Sequence, residues 1–193
     1  MLSEFLKLYP NRKDAQILLH GFLNGFKVNY DGPRVSNDCN NLISARDHES
    51  QLEETKLKEV VAGRIAGPFN HKPFVNLRLS PIGLVPKKMG GGVCYDTCRI
   101  PRVTASIHLL IQNFRQFSTH RSIKFCLPLV KLEKGALLAR MDVKSAFRLL
   151  ILNPDEFDLF GFKFKGQFFL DKCFPMGCFA SCALFEKFPS FLE

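Results

Sequence analysis

Apolar residues change their spacing several times along the chain, and each change marks an element. In residues 11–24, Ile17, Leu18, Gly21 and Phe22 recur at helical intervals, with Asn11 or Asp14 placed to cap, which predicts a short amphipathic helix. Residues 31–47 are rich in Asn, Asp, Ser and Gly without a period and read as loop or tether. A charged helix follows over 51–62, with Leu57, Val60 and Val61 on one side, its charges forming a solvated face and Gly63 ending it. From Phe74 the pattern turns extended: Val75, Leu77 and Leu79 alternate, Pro81 and Gly83 punctuate, and residues 82–85 lead into Pro86, Lys87 and Lys88. An Arg on such a strand, Arg78, reads first as an exposed solubilising residue. Residues 94–99 carry neither period. Residues 136–141 then predict a buried strand, broken by Arg140 and ending on Asp142, with 144–148 as the turn that leaves it.

Further on, LLILN predicts a strand. A short surface helix follows, which Asn153 can cap and Pro154 can begin. Residues 162–164 and 167–170 make a hairpin turning at Lys165-Gly166. A helix of small residues starts at Ala180 and Ser181. Mixed helices and hairpins of this kind predict an α+β fold, with antiparallel strands and helices on one face.

With 193 residues, 46% of them apolar and 23% charged, the chain is long enough for one real core. The first ten residues carry Glu4 and Lys7 where a signal peptide needs an unbroken apolar run, and no stretch reaches membrane-spanning length. The expectation is an intracellular protein with no membrane association. Seven cysteines, an odd number in a chain this long, read as reduced thiols. Cys94, Cys98, His108 and His120 lack the spacing of a zinc finger. The net charge of +9 suggests a polyanionic partner. Its excess lies in the middle third, where residues 71–134 hold 11 basic and 2 acidic side chains.

One acid stands out. Asp142 closes a short apolar run in GALLARMDVKSAF, and a lone carboxylate at the edge of a buried strand calls for a cation or donors. On this stretch alone, a metal-holding aspartate and an ordinary strand-end cap are equally good readings. Residues 174–186 then read FPMGCFASCALFE: an apolar residue, Pro, a long side chain and Gly before a small-residue helix.

DVKSAF and FPMGC, separated by a basic hairpin, resemble motifs A and B of the reverse-transcriptase palm. Together with RIAGPF (residues 64–69), LRLSPIGLVPKK (77–88) and GQFFLDKCFPMGC (166–178), they resemble the reverse transcriptase of tyrosine-recombinase (DIRS-like) retrotransposons. The resemblance implies an incomplete fingers and palm: a helical and loop leader over 1–62, a fingers-like region over 63–134, and a partial palm over 135–193. It implies RNA-directed DNA synthesis on an RNA template and DNA primer, with deoxynucleoside triphosphates and Mg²⁺. Asp142 would be the catalytic carboxylate and a metal ligand, helped by the Val143 carbonyl. Lys87 and Lys88 would neutralise the triphosphate, with Arg78 a weaker candidate for the same role. Phe147 would lie under the incoming sugar, unless it is simply a core residue. Met176 and Gly177 would pack beside the nascent base pair, Gly allowing close approach.

Two departures qualify this. Where the family has a segment of the type WRLIRHLSYPxGxSVN, the chain reads GGVCYDTCRIPRVTASI from Gly91. Joining the last base of each codon to the first two of the next permits WRLLRHLSYPPGDSVN over that stretch. The reading is that roughly residues 91–130 are translated out of frame, which predicts low order or an improvised helix around 109–117. Arg99, Arg102, Arg115, Arg121 and Lys124 against Asp96 then supply +4 of the +9 without a nucleic-acid role. The second departure is that the aspartate pair of the family's motif C does not occur, so one carboxylate faces a two-ion task. The implied activity is therefore that of a fragment inactive alone. The alternatives are a non-catalytic nucleic-acid-binding remnant or a non-functional product.

Overall fold

The computed structural model describes residues 2–86, 93–96, 145–175 and 178–192. The chain divides into two compact units, one of residues 1–100 and 145–193 and one of Pro101–Lys144. The second lies outside the described residues, so the first is the unit described below.

Helix α1 (Leu2–Leu8) leads into α2 (Arg12–Asn24), which starts where the Asn11 side chain accepts the Asp14 amide at 3.2 Å. Of the two candidate caps, Asn11 performs the role. Gly25 follows at φ +86°, and a Cβ there would sit 2.6 Å from the Leu152 carbonyl oxygen, so only glycine lets the chain cross so closely. The Phe26 amide then donates to Ile151 at 2.8 Å, and the Asn153 amide to Phe26 at 3.0 Å.

Of the two readings of residues 31–47, loop or tether, the first holds up to residue 42, and that loop is held along its length. Ser36 and Cys39 donate to the Leu77 and Leu79 carbonyls, Asn41 to Lys163, and the Leu42 amide to Ile82. Its many small polar side chains, which suppress periodicity, are what bond it to neighbouring backbone. Helices α3 (Ile43–Asp47) and α4 (Glu49–Val61) follow. Leu52 is the buried residue of α4 and Val60 packs beside the same cluster, while Leu57 and Val61 face out. Gly63, at φ +71°, ends the helix.

Strand β1 (Ile65–Phe69) pairs antiparallel with β5 (Gln167–Asp171), which pairs with β4 (Gly161–Phe164), giving the order β1-β5-β4. The β4–β5 turn is Lys165-Gly166, both at positive φ (50° and 79°), as a two-residue hairpin requires. One face carries Phe162, Phe164 and Phe169 beneath Ala45 of α3 and Leu52 of α4, with the Phe162 and Phe169 rings stacked 5.2 Å apart. The other face carries Leu170 under Leu77 and Leu79. The unit is thus α+β, with a small antiparallel sheet and helices on one face.

The alternation from Phe74 holds at Leu77 and Leu79 and fails at Val75, which is 97% exposed in a turn. Arg78 is buried rather than exposed, because residues 78–80 lie between Asn37 on one side and Gly161 on the other. Strand β2 (Gly83–Pro86) pairs antiparallel with β3 (Val93–Asp96), although residues 94–96 show no strand period. Backbone hydrogen bonding between strands does not need a side-chain alternation.

A third cluster joins Leu18, Phe26, Leu150, Leu152, Phe160 and Phe174, so α1 and α2 share a core with the segments around 150 and 174. The 3₁₀ helix at Pro154–Leu159 is capped by Asn153, whose side chain accepts the Asp155 amide at 3.0 Å. It is not a surface helix. Only Pro154 and Asp155 are exposed; Glu156 accepts the Val28 amide at 2.6 Å, and Asp158 takes Arg34 and Asn76, both at 2.6 Å. These donors make burial of two carboxylates tolerable. Among the described residues no helix is long and apolar enough to cross a membrane.

Candidate functional site

The residues leaving DVKSAF and those entering FPMGC run side by side. Ser145, at φ +54°, turns the chain into a 3₁₀ helix at Ala146–Leu149. Beyond it, the Phe174 amide donates to the Leu150 carbonyl at 2.9 Å and the Leu152 amide to Lys172 at 2.8 Å, with Ile151 and Cys173 forming an antiparallel bridge. Helix α5 (Phe179–Leu192) is anchored where the Ser181 hydroxyl donates to the buried Pro175 carbonyl at 3.0 Å. Phe147 then meets Phe185 of α5 edge to face, the ring centroids 5.8 Å apart.

A charge network lies against this junction. Arg148 places Nε 3.0 Å from Glu59 Oε2 and Nη1 2.8 Å from Asp171 Oδ1, with Asp171 only 2% exposed. Arg64 adds a fork to Glu59, at 2.9 and 2.7 Å. Burial pushes the Glu59 carboxyl up, but bonding to Arg64 and the Arg148 charge outweigh it and hold the carboxyl below the ordinary range. Burial pulls Arg148 down, and the Asp171 and Glu59 charges more than restore it. Two cations and two carboxylates balance, so this cluster fixes α4, the 3₁₀ turn and β5 to one another. Burial also raises the Cys173 thiol above its ordinary value.

Of the residues singled out from the sequence, Phe147 lies within the described structure, half-buried. Asp142, Val143, Lys87, Lys88, Met176 and Gly177 lie outside the described residues. Among those described, no group of three His, Cys, Asp or Glu side chains is placed to hold a metal ion. Sequence reasoning missed Arg148 and the burial of Arg78. A charged residue flanked by apolar ones, as in AFRLL and NLRLS, was the signal available for both.

No family model matches this sequence, and no curated protein matches it. Among solved structures, the chain is similar to a foamy viral protease-reverse transcriptase in complex with dsDNA. The identity is 16% and the TM-score 0.42, over 95% of this chain and 39% of that one. The chain therefore spans well under half the length of that protein.

Proposed function

We propose that these residues are the fingers and first part of the palm of a DIRS-like reverse transcriptase, and that this polypeptide alone binds an RNA–DNA template-primer without extending it. The supporting observation is the pairing of residues 150–152 with 172–174, because it draws together the two segments that carry DVKSAF and FPMGC. Covalent reach does the rest: Asp142 is three residues before Ser145, or about 10 Å of chain at most. In this reading Lys87 and Lys88 meet phosphates, Phe147 lies under the sugar, and Met176 and Gly177 flank the base pair.

Mg²⁺ is the family's cofactor, with Asp142 and the Val143 carbonyl as its ligands in this chain. One carboxylate does not fit a pair of divalent ions that prefer several hard oxygen ligands, so no catalytic step is drawn through them. Fluorescence anisotropy with an RNA/DNA hybrid at rising salt tests binding, and primer extension with Mg²⁺ and deoxynucleotides tests activity. Salt-dependent binding without incorporation is expected. Failure to bind the hybrid at low salt refutes the first half, and incorporation abolished by Asp142→Ala refutes the second. The out-of-frame reading of residues 91–130 is part of the same proposal. The coding DNA disposes of it if the shifted frame holds a stop or an unrelated peptide across 91–107.

A further inference from the structure

The charged end of Lys56 rests on aromatic carbon. Lys56 is half-buried on α4, and its Nζ sits 4.5 Å from the Phe169 ring centroid and 4.8 Å from that of Phe164, two rings of the buried sheet face. Ring faces attract an ammonium, but they replace none of the oxygen acceptors that its three N–H groups have in water. No carboxylate makes up the difference: among the described residues Lys56 has no ion pair and no hydrogen bond. The acid one turn back, Glu53, is bonded to Lys165 at 2.6 Å, and Glu49 takes the same ammonium at 2.9 Å. Lys165 also lies 5.7 Å from the Phe164 centroid, so two cations share that ring. Burial holds the Lys56 ammonium below the ordinary lysine range; the Glu53 charge opposes this and the Lys165 charge adds to it. A desolvated lysine beside a second cation is the arrangement that turns an ammonium into a nucleophilic amine.

We propose that Lys56 is an acylation site, reacting with acyl thioesters ahead of the exposed lysines of this chain. The neutral Nζ attacks the thioester carbonyl carbon; the C–N bond forms, the C–S bond breaks, and the thiol departs with the proton that the nitrogen loses. The product is an N-acyl lysine, its charge gone from beside Lys165. This site is independent of the polymerase reading, since it uses α4 and the β4–β5 hairpin and no nucleic acid.

The test incubates the whole 193-residue chain with acetyl-coenzyme A near neutral pH, folded and in urea, and follows each lysine by peptide mass spectrometry. Lys13, exposed and without an ion pair among the described residues, is the reference, and Lys58, exposed and paired with Glu54 at 2.7 Å, is the second. Access alone would rank both above Lys56. In the folded chain Lys56 should be acetylated several-fold faster than either, and in urea the three should react alike. Lys165→Gln releases Glu53 to pair with Lys56, so the Lys56 rate should fall toward that of Lys13, whose own rate stays unchanged. Glu53→Gln should leave Lys56 as fast as in wild type or faster. Lys56 reacting no faster than Lys13 in the folded chain, an excess that persists in urea, a rate that Lys165→Gln leaves untouched, or a slower Lys56 in Glu53→Gln overturns the proposal.

Discussion

Arg148→Met removes a cation from between two carboxylates, and the consequence can be worked through contact by contact. Glu59 keeps Arg64, at 2.7 and 2.9 Å, so it remains compensated. Asp171 loses a guanidinium 2.8 Å away while staying 2% exposed, which leaves a carboxylate in the interior with its charge uncompensated by Arg148. Breaking one side of a buried pair costs about 3–5 kcal/mol, against about 5–15 kcal/mol for an ordinary domain. Urea unfolding followed by far-UV circular dichroism suits a chain without tryptophan. Asp171→Asn should cost less, and the double variant should fall short of the sum by about 1 kcal/mol or more, since the second change removes the charge that the first deprives of Arg148. The acid limb adds a check on sign. Glu59 is held below its unfolded value of about 4.3, so its contribution is present above that pH and is lost as pH falls through the lower folded value. In Arg148→Met that acid-side loss should be shallower. A cost under about 1 kcal/mol for Arg148→Met, or strict additivity with Asp171→Asn, would refute the assignment of this network as the clamp at the junction.

Gly67 sits at φ +127° in the β1 bulge, and a Cβ there would lie 2.8 Å from the Phe169 ring and 2.9 Å from the Phe168 carbonyl, so Gly67→Ala should cost about 1–3 kcal/mol by the same urea assay. Asn153→Ala strips the cap of the 3₁₀ helix and the donor to the Asn24 carbonyl at 2.9 Å; about 1–2 kcal/mol should be lost in thermal melts, with no change in secondary structure at low temperature. Burial raises the Cys39, Cys173 and Cys182 thiols above their ordinary value. Native labelling with an aromatic disulfide should therefore show these three reacting more slowly than free cysteine at pH 8, and Cys39 and Cys182 ahead of Cys173.

Much of the fold was written in local pattern. The α2 cap, the Lys165-Gly166 hairpin and the Asn153-Pro154 helix start each depend on two or three adjacent residues whose backbone preferences are strong. What stayed hidden depends on partners far along the chain. Residues 31–47 read as loop or tether because the bonds that hold them run to residues such as 77–82 and 163, which no local window contains. The acids after Asn153 read as surface because their donors, Val28, Arg34 and Asn76, are 82 to 128 positions away. At the candidate site the sequence marked Phe147, and the structure adds the ring it meets. It did not mark Arg148, whose role exists only once β5 and α4 converge on it.

Two arginines enclosed by the same unit therefore carry opposite expectations. Arg148 faces Glu59 and Asp171, so its charge is part of what holds α4 to β5. Arg78 makes no ion pair among the described residues, and its buried Nε has no hydrogen-bond partner. Burial by itself treats the two alike, and both side chains would lose a similar amount of packing on replacement by Met. Compensation separates them: Arg148→Met should destabilise the anion-free chain by several kcal/mol, and Arg78→Met should leave it unchanged or firmer. If both variants lost stability in parallel, enclosed volume rather than charge pairing would govern these positions, and the clamp at Arg148 would not stand.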